Sequence, residues 1–469
     1  MFNIRQIVLI VLFLAEGIFK ILKVARDFTQ LEEEVHRLTQ KAAAMLLSFA
    51  LEEIDRRLLA EKDPSLEVVG FRERGLITCI GELKIKRRLY KTDSGEYIIL
   101  LDKALGLEPH QRMSKRMQEL ALELATEMPF RRAAKVLSHL APTVSPMAVW
   151  KAVKIAGEEA QREAQKLKED VFERGQVPEG QKAVDKLFVE GDEVWVRCQR
   201  GNTRGLGIKL VVGYEGKSGS RKQLKNRHSV AGVTDGNGIW EEASCAFGRK
   251  WDLSSIEQVR IGGDGAEWIK KGTEYFPGAS YHLDPFHLRK RLTEALSFSS
   301  KTYESVCDGL ARLDRSATLQ ALKEGARLLR GSQRKKVKEL AHYLMENWDG
   351  ISRLPEEERL GAIEGQIRHT LARRMKRIGA RWTPEGADRM GRLLAAKANN
   401  ELSKHLQQRP GALSGLVESE VVVEKQTSHG KEDLEAWLRA SMPALRGPFA
   451  WKPWIKYVLK EIGTIQWTA

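Results

Sequence analysis

Cysteine is scarce. The 469 residues hold four, Cys79, Cys198, Cys245 and Cys307, and no two are neighbours in sequence. That excludes a disulfide scaffold and any paired-cysteine zinc knuckle or ribbon. Free thiols in a large chain point to a reducing cytosol. Long apolar runs are scarce too. The run Ile7–Ala15 (IVLIVLFLA) falls short of the about 20 apolar residues that span a bilayer. Glu16, Lys20, Lys23 and Arg26 break up the residues after it, with no small-residue cleavage site. The expectation is a buried or self-associating helix, not a targeting segment, and no membrane partner.

Acidic charge is the minority. Asp plus Glu number 63 against 78 Lys plus Arg, a net charge of +15, which favours a polyanionic partner such as nucleic acid. With 42% hydrophobic and 30% charged residues the chain is neither disordered nor a membrane bundle. Its length suggests about two to four domains.

Periodicity divides the chain. Residues 1–70 read as helices. Leu76–Tyr90 reads as a strand, followed by an Asp93-Ser94-Gly95 turn and a second strand at Tyr97–Leu101, together a hairpin. Within 71–182, Pro129–Ala156 has the look of a helix–turn–helix. Ala134, Val136, Leu137 and Leu140 form the first apolar face and Pro142 is a break. Ser145 is an N-cap before a helix carrying Val149, Trp150 and Val153. Arg131, Arg132, Lys151 and Lys154 are placed to meet DNA phosphates. An ordinary helical pair is the plainer alternative.

From residue 183 to 405 the pattern changes. Strands are expected at Leu187–Arg197, Leu206–Tyr214 and His228–Thr234. A helix follows at Asp252–Gln258, a strand at Val259–Gly262, a helix at Glu267–Tyr275 and a strand at Ser280–Leu283. This order matches an α/β, ribonuclease-H-like core. An all-helical insertion at about 290–360 follows. Arg289–Lys338 holds 13 basic and 5 acidic residues, a net of 13 − 5 = +8, suited to a DNA-facing surface. Residues 406–469 form a mixed, proline-marked C-terminal segment.

Three acids stand out by context: Asp192 in VEGDEVWV, Asp264 in IGGDGAEWI and Glu364 in GAIEGQIRHTLARRM. Two-metal phosphoryl transfer needs carboxylates from separate elements around a pair of hard Mg²⁺ or Mn²⁺ ions. Gly191, Gly262, Gly263 and Gly265 flank the aspartates, and glycine there would let a bulky ligand approach closely. Asp284 and His287 form a D-x-x-H element 20 residues after Asp264, followed by Arg289, Lys290 and Arg291. Asp284 would also suit a helix cap, since Pro285 fits a first turn, and His287 a buried hydrogen-bonded histidine. The basic loop Gly216–His228 lacks the Gly-x4-Gly-Lys-Ser/Thr spacing and reads as a loop near DNA or a solvated one. Trp195, Trp240, Trp251 and Trp268 read as core residues. His369 and His405 have no partner spacing for zinc.

The run GDGAEWIKKG, then FP, then LDPFHLRK, resembles bacterial insertion-sequence transposases of the DDE type in the Mutator-like superfamily. It is most similar to the ISLre-type proteins, which carry a C-or-D-x-x-H motif. FVEGDEVWV, IEGQIRHTLARRMK with a following Trp382, the segment RRLYKTDSGEYIILLD and the segment MPFRRAAKVLSHL extend the likeness over residues 70–400. The resemblance implies a DNA transposase that binds terminal inverted repeats and target double-stranded DNA, acting near the nucleoid in the cytoplasm. It implies that Asp192, Asp264 and Glu364 bind two Mg²⁺ or Mn²⁺ ions, with Asp284 and His287 auxiliary. Synapsis of two ends implies at least a homodimer. A catalytically inactive DNA-binding relative, or a structure-specific nuclease on the same fold, is the alternative.

Overall fold

The computed structural model describes residues 4–199, 205–219 and 223–406, apart from 328, 353, 356, 357, 377 and 378. The C-terminal segment expected over 406–469 lies outside them, save Leu406.

Two helices open the chain, α1 (Ile4–Val24) and α2 (Phe28–Ala60). Asp27 caps α2, its carboxylate accepting the Gln30 N–H at 2.8 Å. In α1, Ile10 and Ile21 are buried, and Gly17 lets the Leu38 side chain of α2 approach closely. Ile7, Val8, Val11, Leu12, Ile18 and Phe19 remain exposed, so the apolar run is not a buried helix. Among the described residues, no helix is long and apolar enough to cross a membrane.

The hairpin lies earlier than the sequence suggests. Strands β1 (Glu67–Thr78) and β2 (Gly81–Lys91) pair antiparallel along their lengths. Leu76–Tyr90 is therefore two strands and a turn. Gly81, at φ +124, takes the backbone conformation that the reversal needs. The turn at Asp93–Gly95 exists but leads only to the two-residue β3 (Tyr97–Ile98), and α3 (Leu100–Leu105) replaces the rest of the expected strand.

The helical pair is present. After α4 (Lys115–Glu127) come α5 (Phe130–Leu137) and α6 (Pro146–Lys168), with the Ser145 hydroxyl accepting the Ala148 N–H at 3.1 Å. Its faces differ from expectation. Ala133, Ala134, Leu137, Val149 and Val153 are buried, whereas Val136 and Trp150 are exposed. Nor does the core break at the expected 182/183 boundary. Residues of α4 to α6 share one apolar cluster with strand residues Phe188, Val194, Ile208 and Leu210.

The main sheet has five strands: β4 (Lys186–Arg197), β5 (Gly205–Tyr214), β8 (His228–Gly232), β9 (Gln258–Gly263) and β10 (Ala279–Leu283). The short pair β6 (Lys217–Ser218) and β7 (Gln223–Leu224) lies in the basic loop. Spatial order is β10-β9-β4-β5-β8. The first three in sequence, β4, β5 and β8, are antiparallel neighbours, while β9 and β10 run parallel to β4. Helix α7 (Gly236–Lys250) precedes β9, in place of the expected helix at Asp252–Gln258, which is irregular. Asp235 starts α7 by accepting the Gly238 N–H at 2.7 Å.

Both faces of the sheet are covered, so its strands are apolar on both sides. Leu187, Val189, Val211 and Ile261 meet Ile239, Trp240, Phe247 and Trp251 on one face. Phe188, Val194, Ile208 and Leu210 meet the opposite layer, which includes Leu393 and Leu394 of a later helix (Pro384–Ala398). Trp240 and Trp251 are fully buried, as expected, but Trp195 is 61% exposed because it stands near the outer end of β4.

Helix α8 (Glu267–Lys270) ends in a 3₁₀ turn before β10, and the insertion that follows β10 is helical. Then come α9 (Pro285–Leu296), α10 (Ser300–Ala311), α11 (Arg315–Ala326) and α12 (Gly331–Glu346). They build their own core from Leu292, Leu296, Val306, Leu310, Val337 and Leu344. The chain returns through α13 (Ile363–Gln366), a π-helical stretch Ile367–Ala372, α14 (Arg373–Met375) and α15 (Pro384–Ala398).

His282 ties β10 to this returning chain. Its ring nitrogens lie 2.9 Å from Ser280 Oγ and 2.7 Å from Ser352 Oγ. Burial, followed by the nearby Arg260 charge, pulls its pKa down from 6.5 to about 4. Below pH 6.5 the unfolded chain takes up a proton that the folded chain does not, so this contribution is full above 6.5 and lost as pH falls towards 4. Denaturant midpoints should therefore fall less steeply between pH 6.5 and 4 in His282→Gln than in the unsubstituted protein. Equal slopes would show that His282 protonates freely in the fold.

Candidate active site

Strand periodicity puts two acids on one face of β4, and β9 and β10 each end at one more, Asp264 and Asp284. Glu190 and Asp192 follow Phe188 at spacing two, and Glu190 pairs in register with Gly262 of β9. Two residues further along the chain from this pair stand Asp192, still within β4, and Asp264, one residue past the end of β9. Gly263 aligns with Leu283 of β10, and Asp284 follows, its N–H donating to the Gly263 carbonyl at 2.8 Å.

Asp192, His287 and Glu364 come together. One ligand atom from each lies within 4.8 Å of the other two. They arrive from a strand, the first turn of α9 and α13. Nearby acids go elsewhere: Glu358 pairs with Lys186 at 2.5 Å and Arg260 at 3.4 Å, and Glu401 pairs with Lys404. Asp264 stands beside this trio and outside it. Its Oδ1 accepts the Ala266 N–H at 3.0 Å, which turns the carboxylate towards its own loop. Its charge still reaches Asp192. The Asp192 pKa rises to about 6, mainly through burial. The Glu193 N–H and His287 oppose the rise, while Asp264 and Glu364 add to it.

Asp284 is fully buried and caps α9, its Oδ1 accepting the Phe286 N–H at 3.1 Å. Among the described residues its Oδ2 has no hydrogen-bond partner. It faces His287 Nε2 at 3.6 Å, beyond hydrogen-bond range. Burial holds the Asp284 pKa above its usual value. His287 is therefore not the hydrogen-bonded core histidine of the plainer alternative. Arg289, Lys290 and Arg291 are exposed on the same helix, and Arg291 lies over the Tyr343 ring at 4.1 Å. Arg131, Arg132 and Lys151 are exposed on α5 and α6, while Lys154 is half-buried, 3.8 Å from Glu158.

The flanking glycines do not open the site to a ligand. Protein side chains fill the space a Cβ would take: Trp268 at Gly191, Leu360 at Gly262, Ile269 at Gly263 and Asn347 at Gly265. Gly265 also sits at φ +99, reserved in practice for glycine. Close packing of the sheet against α8 and the insertion explains the pattern.

Sequence reading missed Glu190. Its carboxylate is fully buried yet well satisfied, accepting the Tyr214 hydroxyl at 2.6 Å. It also accepts backbone N–H groups of Gly361 at 2.8 Å, Ala362 at 3.0 Å and Ile363 at 3.3 Å. These donors open the helix that carries Glu364. A negative charge there complements the free N–H groups of a helix start. Its neighbour Gly191 and the acid run Glu190-Gly-Asp192 gave no sign of this, because every partner is distant in sequence.

The fold is a mixed α/β protein with a cluster of carboxylates and an imidazole on one sheet face. The chain belongs to the uncharacterised protein family UPF0236, whose model matches residues 22–408. It is 27% identical over 389 residues to a UPF0236 protein of Caldanaerobacter subterraneus subsp. tengcongensis, covering 81% of this chain and 79% of the relative. That relative's name joins eleven locus designations. A second UPF0236 protein of that organism is 28% identical over 383 residues, 80% of this chain and 79% of the relative. The "UPF0236 protein in vanSb 3'region" of Streptococcus gallolyticus is 26% identical over 398 residues, 81% and 85% respectively.

Glu190→Gln should replace an acceptor with an amide that cannot satisfy all of these donors. A loss of roughly 2–3 kcal/mol is expected, as for one charge-assisted hydrogen bond. Denaturant unfolding measures it, and an unchanged midpoint would show that the 361–363 turn holds without the carboxylate.

Proposed function

We propose that this protein is a DNA transposase that cuts insertion-element ends and joins them to target DNA by metal-dependent phosphoryl transfer. The observation that carries the reading is the convergence of Asp192 and Glu364, 172 residues apart in sequence (364 − 192), near Asp264 just past the end of the adjoining strand β9. The strand order, with three antiparallel strands followed by two parallel ones, supports a ribonuclease-H-like core. The eleven loci in one relative's name accord with an element that copies or moves itself within a genome.

The donor set fits hard divalent ions. Asp192, Asp264 and Glu364 offer carboxylate oxygens, which suit Mg²⁺ or Mn²⁺. Two such ions, when bound, supply activation of a water or 3′-hydroxyl nucleophile and neutralise charge at the leaving oxygen. Asp192, whose burial favours the protonated form, gives up its proton readily once a cation faces it. Arg289, Lys290 and Arg291 place positive charge beside the cluster, suited to the DNA backbone. Arg131, Arg132 and Lys151 present a second basic surface for the element ends. Neither a serine nor a tyrosine nucleophile is invoked. The enzyme acts on the nucleoid as at least a dimer, since two ends must be held together.

The test uses a labelled fragment carrying the element's own ends, with Mg²⁺ or Mn²⁺ and with EDTA. Metal-dependent 3′-end cleavage followed by joined products is expected. Cleavage without joining would make the protein a nuclease on this fold, and tight binding without cleavage a DNA-binding relative. Asp264→Asn should retain DNA binding by mobility shift and cut at least about 100-fold more slowly, the scale set by loss of one transition-state charge partner. Normal cutting by that variant would overturn the assignment of Asp264.

A further inference from the structure

We infer that His287 is a direct ligand of a divalent metal ion shared with Asp192 and Glu364, and that buried Asp284 orients its ring. The inference rests on the proposed metal-dependent reading and adds a nitrogen ligand to it. Around one octahedral ion, oxygen and nitrogen ligands at about 2.1 Å lie about 3–4 Å from one another. Ligand atoms of Asp192, His287 and Glu364 already fall within 4.8 Å of one another, around a common point. Asp264 stands outside this trio and is left to the second ion.

A second observation is independent of that spacing. His287 Nε2 and Asp284 Oδ2 are both buried, and among the described residues both lack a hydrogen-bond partner. Orphaned buried polar atoms are costly and call for an explanation. They face each other at 3.6 Å across one helical turn, with Asp284 wholly enclosed and its other oxygen engaged in capping α9. A carboxylate behind a histidine is the usual support for a metal-ligating imidazole, fixing its orientation and raising its basicity. The D-x-x-H spacing supplies both parts from one helix start. The capping residue carries the supporting carboxylate, and the residue three positions on carries the ligand.

The alternative is that His287 is a cation neutralising the acids around it. Pulsed electron paramagnetic resonance of Mn²⁺ bound to the full chain separates the two, because a directly coordinated imidazole imprints nitrogen-14 modulation on the manganese signal. The unsubstituted protein should show that modulation, and protein grown with nitrogen-15 histidine should show it replaced. His287→Ala and His287→Gln should still bind Mn²⁺, more weakly, without the modulation. Asp284→Asn keeps the cap and should weaken Mn²⁺ binding about 10–100-fold. Mn²⁺ bound without nitrogen modulation, or with modulation that persists in both His287 variants, overturns the inference and leaves the carboxylate site standing. Asp192→Asn controls for the reading beneath it. If Mn²⁺ affinity is the same with and without that carboxylate, the metal site itself fails and the inference falls with it.

Discussion

A single buried carboxylate holds the site together. Glu190 sits in the central strand of the sheet, two residues before Asp192 on the same face, and grips the backbone of residues 361–363. That grip fixes the chain returning from the helical insertion against the central strand β4, alongside Glu358 on Lys186 and Arg260 and His282 on Ser352. The strand supplies Asp192, and the captured helix supplies Glu364. A buried charge is costly unless its lone pairs are all used. Here Tyr214 and three N–H groups use them, so Glu190 locks one arrangement and penalises others.

The remaining acids make the opposite case. Asp192, Asp264 and Glu364 gather like charge, and Asp192 is also half-buried. Burial first, and then the Asp264 and Glu364 charges, push its pKa up to about 6, against the ionised form. Natural sheets do not retain such frustration for stability, and an apolar face would pack better. Glu190 and Asp192 thus show two uses of the same side chain on one strand. One is satisfied by the protein, and the other is left in want of positive charge.

Much of this was legible in the sequence, and the misses have physical reasons. Asp192 and Asp264 were marked by strand context and flanking glycines, Asp284 and His287 by the D-x-x-H spacing and Glu364 by its helical context, and the structure brings Asp192, His287 and Glu364 together. The strands of the main sheet fell within a few residues of their expected bounds because β-branched runs ended at turn residues. Helix α7 was missed because Gly236-Asn237-Gly238 reads as a turn, although Asp235 makes it a helix start. The first hairpin slipped because Cys79-Ile80-Gly81 lies inside an apolar run, and only the left-handed Gly81 reveals the reversal. Trp195 was assigned to the core on hydrophobicity alone, yet its place at the end of β4 decided otherwise. Glu190 was invisible because its partners are long-range backbone groups, which no local pattern encodes.

The insertion between the second and third acids is more than a separate basic appendage. The Tyr343 hydroxyl of α12 donates to the Asp264 carbonyl at 2.8 Å, and Asn347 fills the space beside Gly265. Arg291 of α9, one turn beyond His287, lies against the same Tyr343 ring. The helices that carry a net charge of +8 over Arg289–Lys338 are therefore wedged against the backbone of an acid in the site. Tyr343 and Asn347 thus fix the backbone on either side of the Asp264–Gly265 bond. In this arrangement the Asp264 carboxylate is turned to its own loop through the Ala266 N–H, apart from the Asp192, His287 and Glu364 trio.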